Sequence, residues 1–415
     1  MSAFHLPEIY TLQNGLRIVY QYNPGLVSHC GLVIGTGTRD EHPGKEGLAH
    51  FIEHVLFKGT RKRKSYQVLN RLEVVGGELN AYTTREETCV HASFIKPHLE
   101  RAVEIISDIV LNSIFPDKEL EKEKEVVLDE IHSYMDNPME QIYDDFESQL
   151  FKGHPLGNPI LGTEESVKNF SRKDVTGFVR KNYTADRMVF SYTGSSSFKE
   201  VVAKCQKYFQ QVPVKLNTGA RSRFRRKTIR HLAFDKATIQ AHYITGGTAY
   251  SYYNRKRYPL FLLNNILGGP GMNSRLNMNI REKHGYTYNI ESAYIPYSDT
   301  GLFNVYLATE KKFLDKTIRL VYKELKKLRE NRISEFQLSR YRRQLTGHLA
   351  ISQENKAGVM LNHAKSILSY GKPVNMEDLY RKIHEITASE ILEVANEVLR
   401  LDTLSSLLYR PESQH

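Results

Sequence analysis

The sequence predicts an α+β protein built from two tandem homologous domains, each a mostly antiparallel sheet with helices packed on one face. Its 415 residues are too many for one hydrophobic core. The order of strand-like and helix-like segments in the first half repeats in the second half. Between the halves, residues 213–228 have the Pro, Asn, Gly, Ser and basic composition of a linker. We therefore predict a first domain at residues 1–212 and a second at 229–415.

The elements of the first half follow from periodicity and from capping and turn residues. Asp117 is a good N-cap for a long acidic helix, and Ser171 for a later helix. Gly76 and Gly77 mark a turn before strand-like residues. The predicted segments are, in order, strands at 15–21 and 31–36, the helix containing residues 50–54, a helix at 66–74, strand-like residues at 78–94, helices at 98–111 and 117–134, and a strand at 188–194.

The second half repeats this order of elements after the linker. Its predicted segments are a strand at 241–246, an apolar helix at 258–267, strands at 288–297 and 300–309, and helices at 312–329 and 333–353. Repetition of one order of elements indicates a duplicated domain.

Residues 50–54, with the sequence His-Phe-Ile-Glu-His, place two imidazoles and one carboxylate on one side of a predicted helix. At about 100° per residue, His54 lies roughly 40° round the helix from His50, and Glu53 lies roughly 60° from His50 on the other side. Histidines four apart can share one zinc ion, and the glutamate can reach a water on it. This order is that of the inverted zinc-protease motif. The alternative is an ordinary amphipathic helix with half-exposed histidines.

The second copy argues against that alternative. Where the first half reads Leu-Ala-His-Phe-Ile-Glu-His at 48–54, the second reads Pro-Leu-Phe-Leu-Leu-Asn-Asn at 259–265. Because other side chains serve in the equivalent helix, the fold itself does not require the histidines. We therefore interpret them as metal ligands.

A third ligand is expected on the acidic helix, since a catalytic zinc ion usually takes three protein ligands and keeps one position for water. Glu123 and Glu130 are seven residues apart and therefore within about 20° of one face. Glu121 and Glu125 point elsewhere and can pair with neighbouring lysines. Spacing alone leaves open whether Glu130 is the ligand.

Composition and charge exclude several classes of protein. The three cysteines, Cys30, Cys89 and Cys205, form no C-x-x-C pair, so any zinc must use nitrogen and oxygen ligands. Positive charge, +11 net, is densest at residues 61–64 and 221–227. Neither run lies in a recognisable nucleic-acid-binding fold, so we predict no nucleic acid partner.

No apolar run approaches the roughly 18 residues that span a bilayer. The N-terminus lacks the layout of a secretory signal, and we expect a cytoplasmic protein.

Residues 47–60 closely resemble the signature of the pitrilysin, insulysin and mitochondrial-processing-peptidase family of zinc metallopeptidases. The family's glutamate ligand lies at the spacing from the second histidine that Glu130 has from His54, with 75 residues between them. Glu123 matches a further acidic residue of the family pattern. The resemblance continues along the chain at residues 76–83, 161–165 and 182–188.

The resemblance implies a zinc ion, one per chain, held by His50, His54 and Glu130. Glu53 would act as general base on the attacking water, and Glu123 would orient a ligating histidine or the water. The alternative for Glu123 is a solvated helix charge. The resemblance also implies two similar domains that face each other as a clamshell around a chamber.

A peptide substrate is implied to bind in extended form along one strand of the first domain. It would add to that strand mainly through backbone hydrogen bonds with Leu79, Asn80, Ala81 and Tyr82. The alternative is a plain hairpin turn and edge strand.

In the second domain, the resemblance points to Arg281 and Tyr288, which would hydrogen-bond substrate carbonyls and the oxyanion. The alternative is ordinary surface pairing of Arg281. Four-domain relatives carry this pair in the half opposite the zinc. Because this chain has both sets of residues, we predict a homodimer in which each zinc site is completed by the partner's pair.

We therefore predict a zinc metalloendopeptidase that hydrolyses unstructured peptides or small polypeptides bound in an enclosed chamber. One alternative is a non-catalytic or partner subunit of a heterodimeric processing peptidase or a respiratory-complex core-like assembly, which the complete motif disfavours. Another is a mitochondrial presequence-processing subunit, for which the basic net charge is a poor match. A metal- or nucleic-acid-binding module without catalysis is a third.

Overall fold

The computed structural model describes residues 6–214, 221–225 and 228–412. The predicted linker at 213–228 therefore falls partly outside the described residues. Within the described ranges, no helix is both long and apolar enough to cross a lipid bilayer.

The strands and α-helices have the following bounds, each set given in chain order. The strands are β1 (Glu8–Thr11), β2 (Arg17–Tyr22), β3 (Val27–Ile34), β4 (Glu78–Thr83), β5 (Thr88–Ile95), β6 (Met188–Gly194), β7 (His231–Lys236), β8 (Ala241–Ala249), β9 (Thr287–Pro296), β10 (Gly301–Thr309) and β11 (Ser405–Pro411). The α-helices are α1 (Leu48–Val55), α2 (Ser65–Glu73), α3 (Leu99–Asn112), α4 (Asp117–Met135), α5 (Pro138–Leu150), α6 (Glu164–Lys168), α7 (Arg172–Asn182), α8 (Phe198–Phe209), α9 (Arg257–Gly268), α10 (Leu314–Glu330), α11 (Glu335–Ser352), α12 (Lys356–Tyr370), α13 (Met376–Glu385) and α14 (Ala388–Val398).

Contacts between residues divide the chain into two compact units, each containing one sheet. The first unit comprises Met1–His132, Asn158–Arg221 and Ile351–Met376, and the second comprises Ser133–Gly157, Ser222–Ala350 and Glu377–His415. The units therefore differ from the predicted domain boundaries at two segments. One segment of the first half, containing α5, belongs to the second unit, and one of the second half, containing α12, belongs to the first.

The first unit has a sheet in the order β1-β2-β6-β3-β5-β4, antiparallel except for the parallel pair β2 and β6. One face of this sheet packs against a core that includes α1, α3 and α8. The other face is covered by α12, whose Ala364 and Ile367 pack with Val19, Val33 and Val189 of the sheet. A helix from near the C-terminus thus completes the unit that begins the chain.

The second unit has a sheet in the order β7-β11-β8-β10-β9, antiparallel except for the parallel pair β7 and β11. Helices α9, α10 and α14 pack on one face. On the other face, Ile142 and Phe146 of α5 pack with Ile244, Tyr306 and Leu407 of the sheet. The second unit is thus completed by a helix from the first half of the chain.

The predicted α+β class with two mostly antiparallel sheets is confirmed. The prediction that helices pack on one face only is wrong, because each sheet has helices on both faces. The long acidic helix includes Asp117 as its first residue, so the prediction that Asp117 is its N-cap is wrong: Leu120 N donates to Pro116 O, which puts Pro116 in the cap position. Ser171 caps α7 as predicted, by accepting from Asp174 N. The sequence patterns did not identify α5, α8 or α12. They also did not show that α12 covers the second face of the first sheet and α5 the second face of the second sheet. Each of these helices packs on strands that lie far from it in the chain.

Candidate metal centre

Helix α1 begins at a turn that requires glycine. Gly47 has a φ of 87°, in the left-handed region, and a Cβ on it would lie 2.5 Å from Gly162 Cα. Phe51 and Ile52 of the helix are fully buried. The close turn and the buried face together fix the rotation of α1 about its axis, and with it the direction of the motif side chains.

A buried carboxylate caps the N-terminus of α1. Glu41 Oε2 accepts from Gly47 N at 3.0 Å, and Glu41 Oε1 accepts from Ala49 N at 2.7 Å. Burial raises the pKa of Glu41, and these two backbone N–H groups oppose the shift. The sequence interpretation missed this cap because Glu41 lies six residues before Gly47, whereas a capping box pairs residues three apart.

His50 and His54 of α1 converge with Glu130 of α4. Glu130 Oε2 lies 3.7 Å from His50 Nε2 and 3.4 Å from His54 Nε2. One possible ligand atom from each residue lies within 4.8 Å of the others. Zinc bonds of about 2.0–2.1 Å in a tetrahedron separate ligand atoms by about 3.4 Å. The two distances to Glu130 Oε2 are close to this separation, so the three side chains could hold one zinc ion.

Glu123 of α4 fixes the orientation of one imidazole. Its Oε1 lies 3.0 Å from His54 Nδ1, and its Oε2 lies 2.6 Å from Lys58 Nζ. The contact with Nδ1 leaves His54 Nε2 directed at Glu130, which is the usual arrangement behind a metal-ligating histidine. Lys58 lies within the signature residues 47–60, but its role was missed because its partner is on another helix.

The charges of the cluster are set by burial and by its hydrogen bonds. Burial, with the neighbouring His54 as a second cause, lowers the pKa of His50 to about 4, so this imidazole is neutral at pH 7. Burial also disfavours the charged form of His54, but hydrogen bonds with Glu123 and Glu130 outweigh it and raise the pKa of His54 to about 9. The hydrogen bond with His54 lowers the pKa of Glu130. The protonated His54 and the Lys58 ammonium therefore balance the two carboxylates, and a metal ion would take the place of the His54 proton that faces Glu130.

Glu53 has a buried oxygen that meets no protein donor. Its Oε2 is without a hydrogen-bond partner among the described residues, as is His50 Nδ1. Burial raises the pKa of Glu53, and the neighbouring Thr83 and His54 oppose the shift. A buried polar atom without a partner costs free energy unless water or a ligand satisfies it. The carboxylate is thus suited to hold a water or a substrate group beside the cluster.

The four predicted peptide-binding residues lie in β4, an edge strand of the first sheet that contacts α1. Leu79 and Ala81 pack toward the main core, and Tyr82 packs toward the core on the α12 side. Asn80 is exposed. The side chains of β4 thus alternate between the two faces of the sheet, as a strand requires.

Arg281 and Tyr288 lie in the second unit, which is not the unit that contains the histidines. Arg281 is in a π-helix, Asn277–Glu282, and its Nε lies 3.9 Å from Glu282 Oε1. Tyr288 is near the start of the edge strand β9 and is 78% exposed. π-Helical segments are rare and occur frequently at functional sites. The sequence gave no sign of this irregularity.

Comparison with protein families gives two matches along the chain. Residues 17–164 match the family described as insulinase (peptidase family M16). Residues 169–345 match the family described as peptidase M16 inactive domain. The second description agrees with the missing histidines at 259–265.

Individual relatives cover almost the whole chain. A protein of Rickettsia bellii is 35% identical over 406 residues, which are 97% of each chain. A protein of Bacillus subtilis is 31% identical over 400 residues, which are 96% of this chain and 97% of the relative. Each is named an uncharacterized zinc protease.

Two solved structures share the fold. The crystal structure of a protease from Helicobacter pylori has a TM-score of 0.89 at 20% identity, covering 98% of this chain and 100% of the other. That of a peptidase M16 inactive domain from Pseudomonas fluorescens has a TM-score of 0.89 at 19% identity, covering 99% of each chain.

Proposed function

This chain belongs to the insulinase family of peptidases, M16, as its signature residues predicted, and on that premise we propose that it is a zinc-dependent metalloendopeptidase. The observation that carries the proposal is the convergence of His50, His54 and Glu130 beside the buried carboxylate of Glu53. The first three would hold one zinc ion per chain. When bound, zinc would polarise the scissile carbonyl and make the attacking water more acidic.

Glu53 is proposed as the general base. It would accept a proton from the attacking water and then donate that proton to the leaving amine. A carboxylate oxygen without a protein partner is free to make both contacts. Burial, which raises the pKa of Glu53, supports a role that requires the group to hold the proton between the two steps.

Glu123 is proposed to position His54 rather than to touch the substrate. Its hydrogen bond to Nδ1 orients the imidazole and makes Nε2 a stronger donor to a metal. The ion pair with Lys58 keeps Glu123 ionised and in place. Burial disfavours the charge on Glu123, but the contacts with His54 and Lys58 outweigh it and lower the pKa of Glu123.

The substrate is proposed to add as a strand to the free edge of β4. Thr84 N donates to Glu87 O at 2.8 Å, and the β4–β5 register continues from this pair. In an antiparallel pair, every second residue of a strand hydrogen-bonds to its neighbour through its backbone. Counting back from Thr84, the residues between these positions, Leu79, Ala81 and Thr83, have their backbone N–H and C=O groups directed away from β5. A peptide would hydrogen-bond to these groups, whatever its side chains, which suits an enzyme that cleaves unstructured peptides.

Arg281 and Tyr288 are proposed to bind substrate carbonyls and the oxyanion of the tetrahedral intermediate. Both side chains are partly or fully exposed, and the ion pair of Arg281 within the described part of the chain is the 3.9 Å contact between its Nε and Glu282 Oε1. We further propose that the chain forms a homodimer in which this pair acts on the zinc site of the partner subunit.

The test combines metal content with degradation of an unfolded peptide mixture. Wild type should contain about one zinc per chain and cleave the mixture. Glu53→Gln should keep the zinc and lose about 10²- to 10⁴-fold in kcat/KM, the range for general acid–base catalysis. Glu125→Gln, an exposed change on α4, is the matched control and should behave as wild type. Peptide cleavage that Glu53→Gln leaves intact, or a metal-free protein that cleaves, would overturn the proposal.

A further inference from the structure

Two adjoining cavities lie in the second unit beside the first half of α11. Their volumes are about 440 and 360 Å³. They share Asn273, Gln337 and Tyr341 in their walls. The larger is also lined by Arg340 and Arg343. Volumes of this size suit a ligand with several functional groups rather than a single small ion.

The positive charge of these walls is not neutralised by the protein. Arg332 lines the smaller cavity, and among the described residues neither it nor Arg340 nor Arg343 forms an ion pair. No carboxylate is among the lining residues of either cavity. Arg275 is paired, with its Nε 3.2 Å from Glu324 Oε2. Unpaired guanidinium groups gathered at one place raise the local potential and attract anions.

A glycine keeps the amide groups of the larger cavity in place. Gln344 Nε2 donates to Asn273 Oδ1 at 2.7 Å. A Cβ at Gly271 would lie 2.7 Å from Gln344 Nε2 and 2.8 Å from Asn273 Oδ1. A side chain at position 271 would therefore make the ends of these two side chains shift. The wall combines guanidinium, amide and hydroxyl groups that can donate hydrogen bonds.

We propose that the two cavities form a subsite for the acidic side chains of a peptide substrate. Guanidinium groups bind carboxylates through paired hydrogen bonds, and amide and tyrosine hydroxyl groups add donors. Met278 and Asn279, which line the smaller cavity, belong to the π-helix that carries Arg281. A peptide seated there would contact the element that carries Arg281, a residue assigned above to substrate binding, so the inference rests on the proposed peptidase function. It predicts that acidic peptides are preferred.

Binding to the intact Glu53→Gln protein tests this subsite without requiring cleavage. The probe is a short fluorescein-labelled peptide rich in glutamate, and its matched control has glutamine at the same positions. Fluorescence anisotropy should show the acidic peptide binding about tenfold or more tightly, as expected for an added charge-assisted hydrogen bond. The preference should weaken as salt is added.

Variants locate the effect. Adding Arg340→Gln and Arg343→Gln together should abolish most of the preference, whereas Arg255→Gln, an exposed change in the same unit outside both cavities, should keep it. Circular dichroism establishes that each variant is folded, and Arg343→Gln alone serves if the double change does not fold. The proposal is overturned if the acidic and control peptides bind equally, or if Arg255→Gln removes the preference as the paired arginine change does. It is also overturned if tripolyphosphate displaces the labelled acidic peptide at a lower concentration than the unlabelled glutamate-rich peptide does.

The two proposals fail in different ways. If wild type cleaves no peptide while the Glu53→Gln protein still prefers the acidic probe through Arg340 and Arg343, the peptidase proposal fails and the anionic subsite stands. If cleavage is normal and the acidic probe has no advantage, only the subsite is overturned.

Discussion

His54 Nδ1 and Glu123 Oε1 lie 3.0 Å apart, and the other oxygen of the same carboxylate lies 2.6 Å from Lys58 Nζ. The opposite ring nitrogen of His54 lies 3.4 Å from Glu130 Oε2. Because a neutral imidazole has one donor and one acceptor nitrogen, fixing Nδ1 decides what Nε2 can do. The two helices α1 and α4 therefore supply both the ligands and the group that orients one of them.

Replacement of Glu123 should weaken zinc binding without removing a ligand. We expect Glu123→Gln to lower zinc affinity about 10- to 100-fold, the usual effect of losing such a partner. Competition with a chromogenic chelator measures the affinity, and Glu125→Gln on the same helix is the control. An unchanged affinity together with a lower unfolding temperature would make Glu123 a structural residue only.

Zinc should stabilise the folded chain through the three converging side chains. A ligand that binds only the native state, at about 1,000 times its Kd, adds about 4 kcal/mol to the free energy of unfolding. Chelator-stripped wild type should therefore show a clear rise in Tm when zinc is returned, and His50→Ala should show little. An equal rise in both proteins would place the metal elsewhere.

Mixing inactive subunits tests the shared site. Glu53→Gln and Arg281→Ala should each be inactive, but an equal mixture allowed to exchange subunits should recover about a quarter of wild-type activity, since half the dimers would be mixed and each would have one intact site. A mixture of Glu53→Gln with His50→Ala is the control and should recover no activity, because the zinc site of every subunit is then altered. No recovery in the first mixture would argue against sharing between subunits.

The buried cap of α1 should make stability depend on pH. Because the pKa of Glu41 is raised in the folded protein, folding favours its protonated form, and the stability this adds is complete below the unfolded pKa of about 4.3. It is lost as the pH rises through the folded pKa. Compared with Glu41→Gln, which does not titrate there, wild type should lose free energy of unfolding as the pH rises above the unfolded pKa. Urea unfolding at a series of pH values measures the difference, and a gain for wild type as the pH rises would contradict the assignment.

The packing of α12 on the first sheet can be tested with one truncated side chain. Ile367 is 1% exposed against that sheet, and Ile351 is 72% exposed. Ile367→Ala should cost about 2–5 kcal/mol in free energy of unfolding. Ile351→Ala should cost little. Urea unfolding followed by circular dichroism compares them, and similar costs would show that the helix contributes little to the first unit.

Much of the fold was readable from local patterns. The strand at 188–194 and the long helix from Asp117 follow from local residue patterns, and the structure has both, although Asp117 is the first residue of the helix and not its cap. By contrast, α5 and α12 were not identified, and each packs on the sheet formed mainly by the other half of the chain. Local periodicity reports which residues are apolar, but it does not report which distant surface they cover.

The features of the candidate metal centre also fall into those that the sequence predicted and those that only the structure showed. The spacing within residues 50–54 placed two imidazoles on one helix, and the family pattern pointed to Glu130. The roles of Glu41 and Lys58 were not visible, because each acts through a partner on another segment.

The sequence by itself determined the class of fold, the motif helix and the acidic helix, because these depend on residues within a few turns of one another. Only the tertiary structure decided that the two helices meet at one point, that Glu41 caps the first of them, and that each sheet takes a helix from the other half. Those features are set by packing and hydrogen bonds between residues far apart in the chain, for which no local spacing exists to be read.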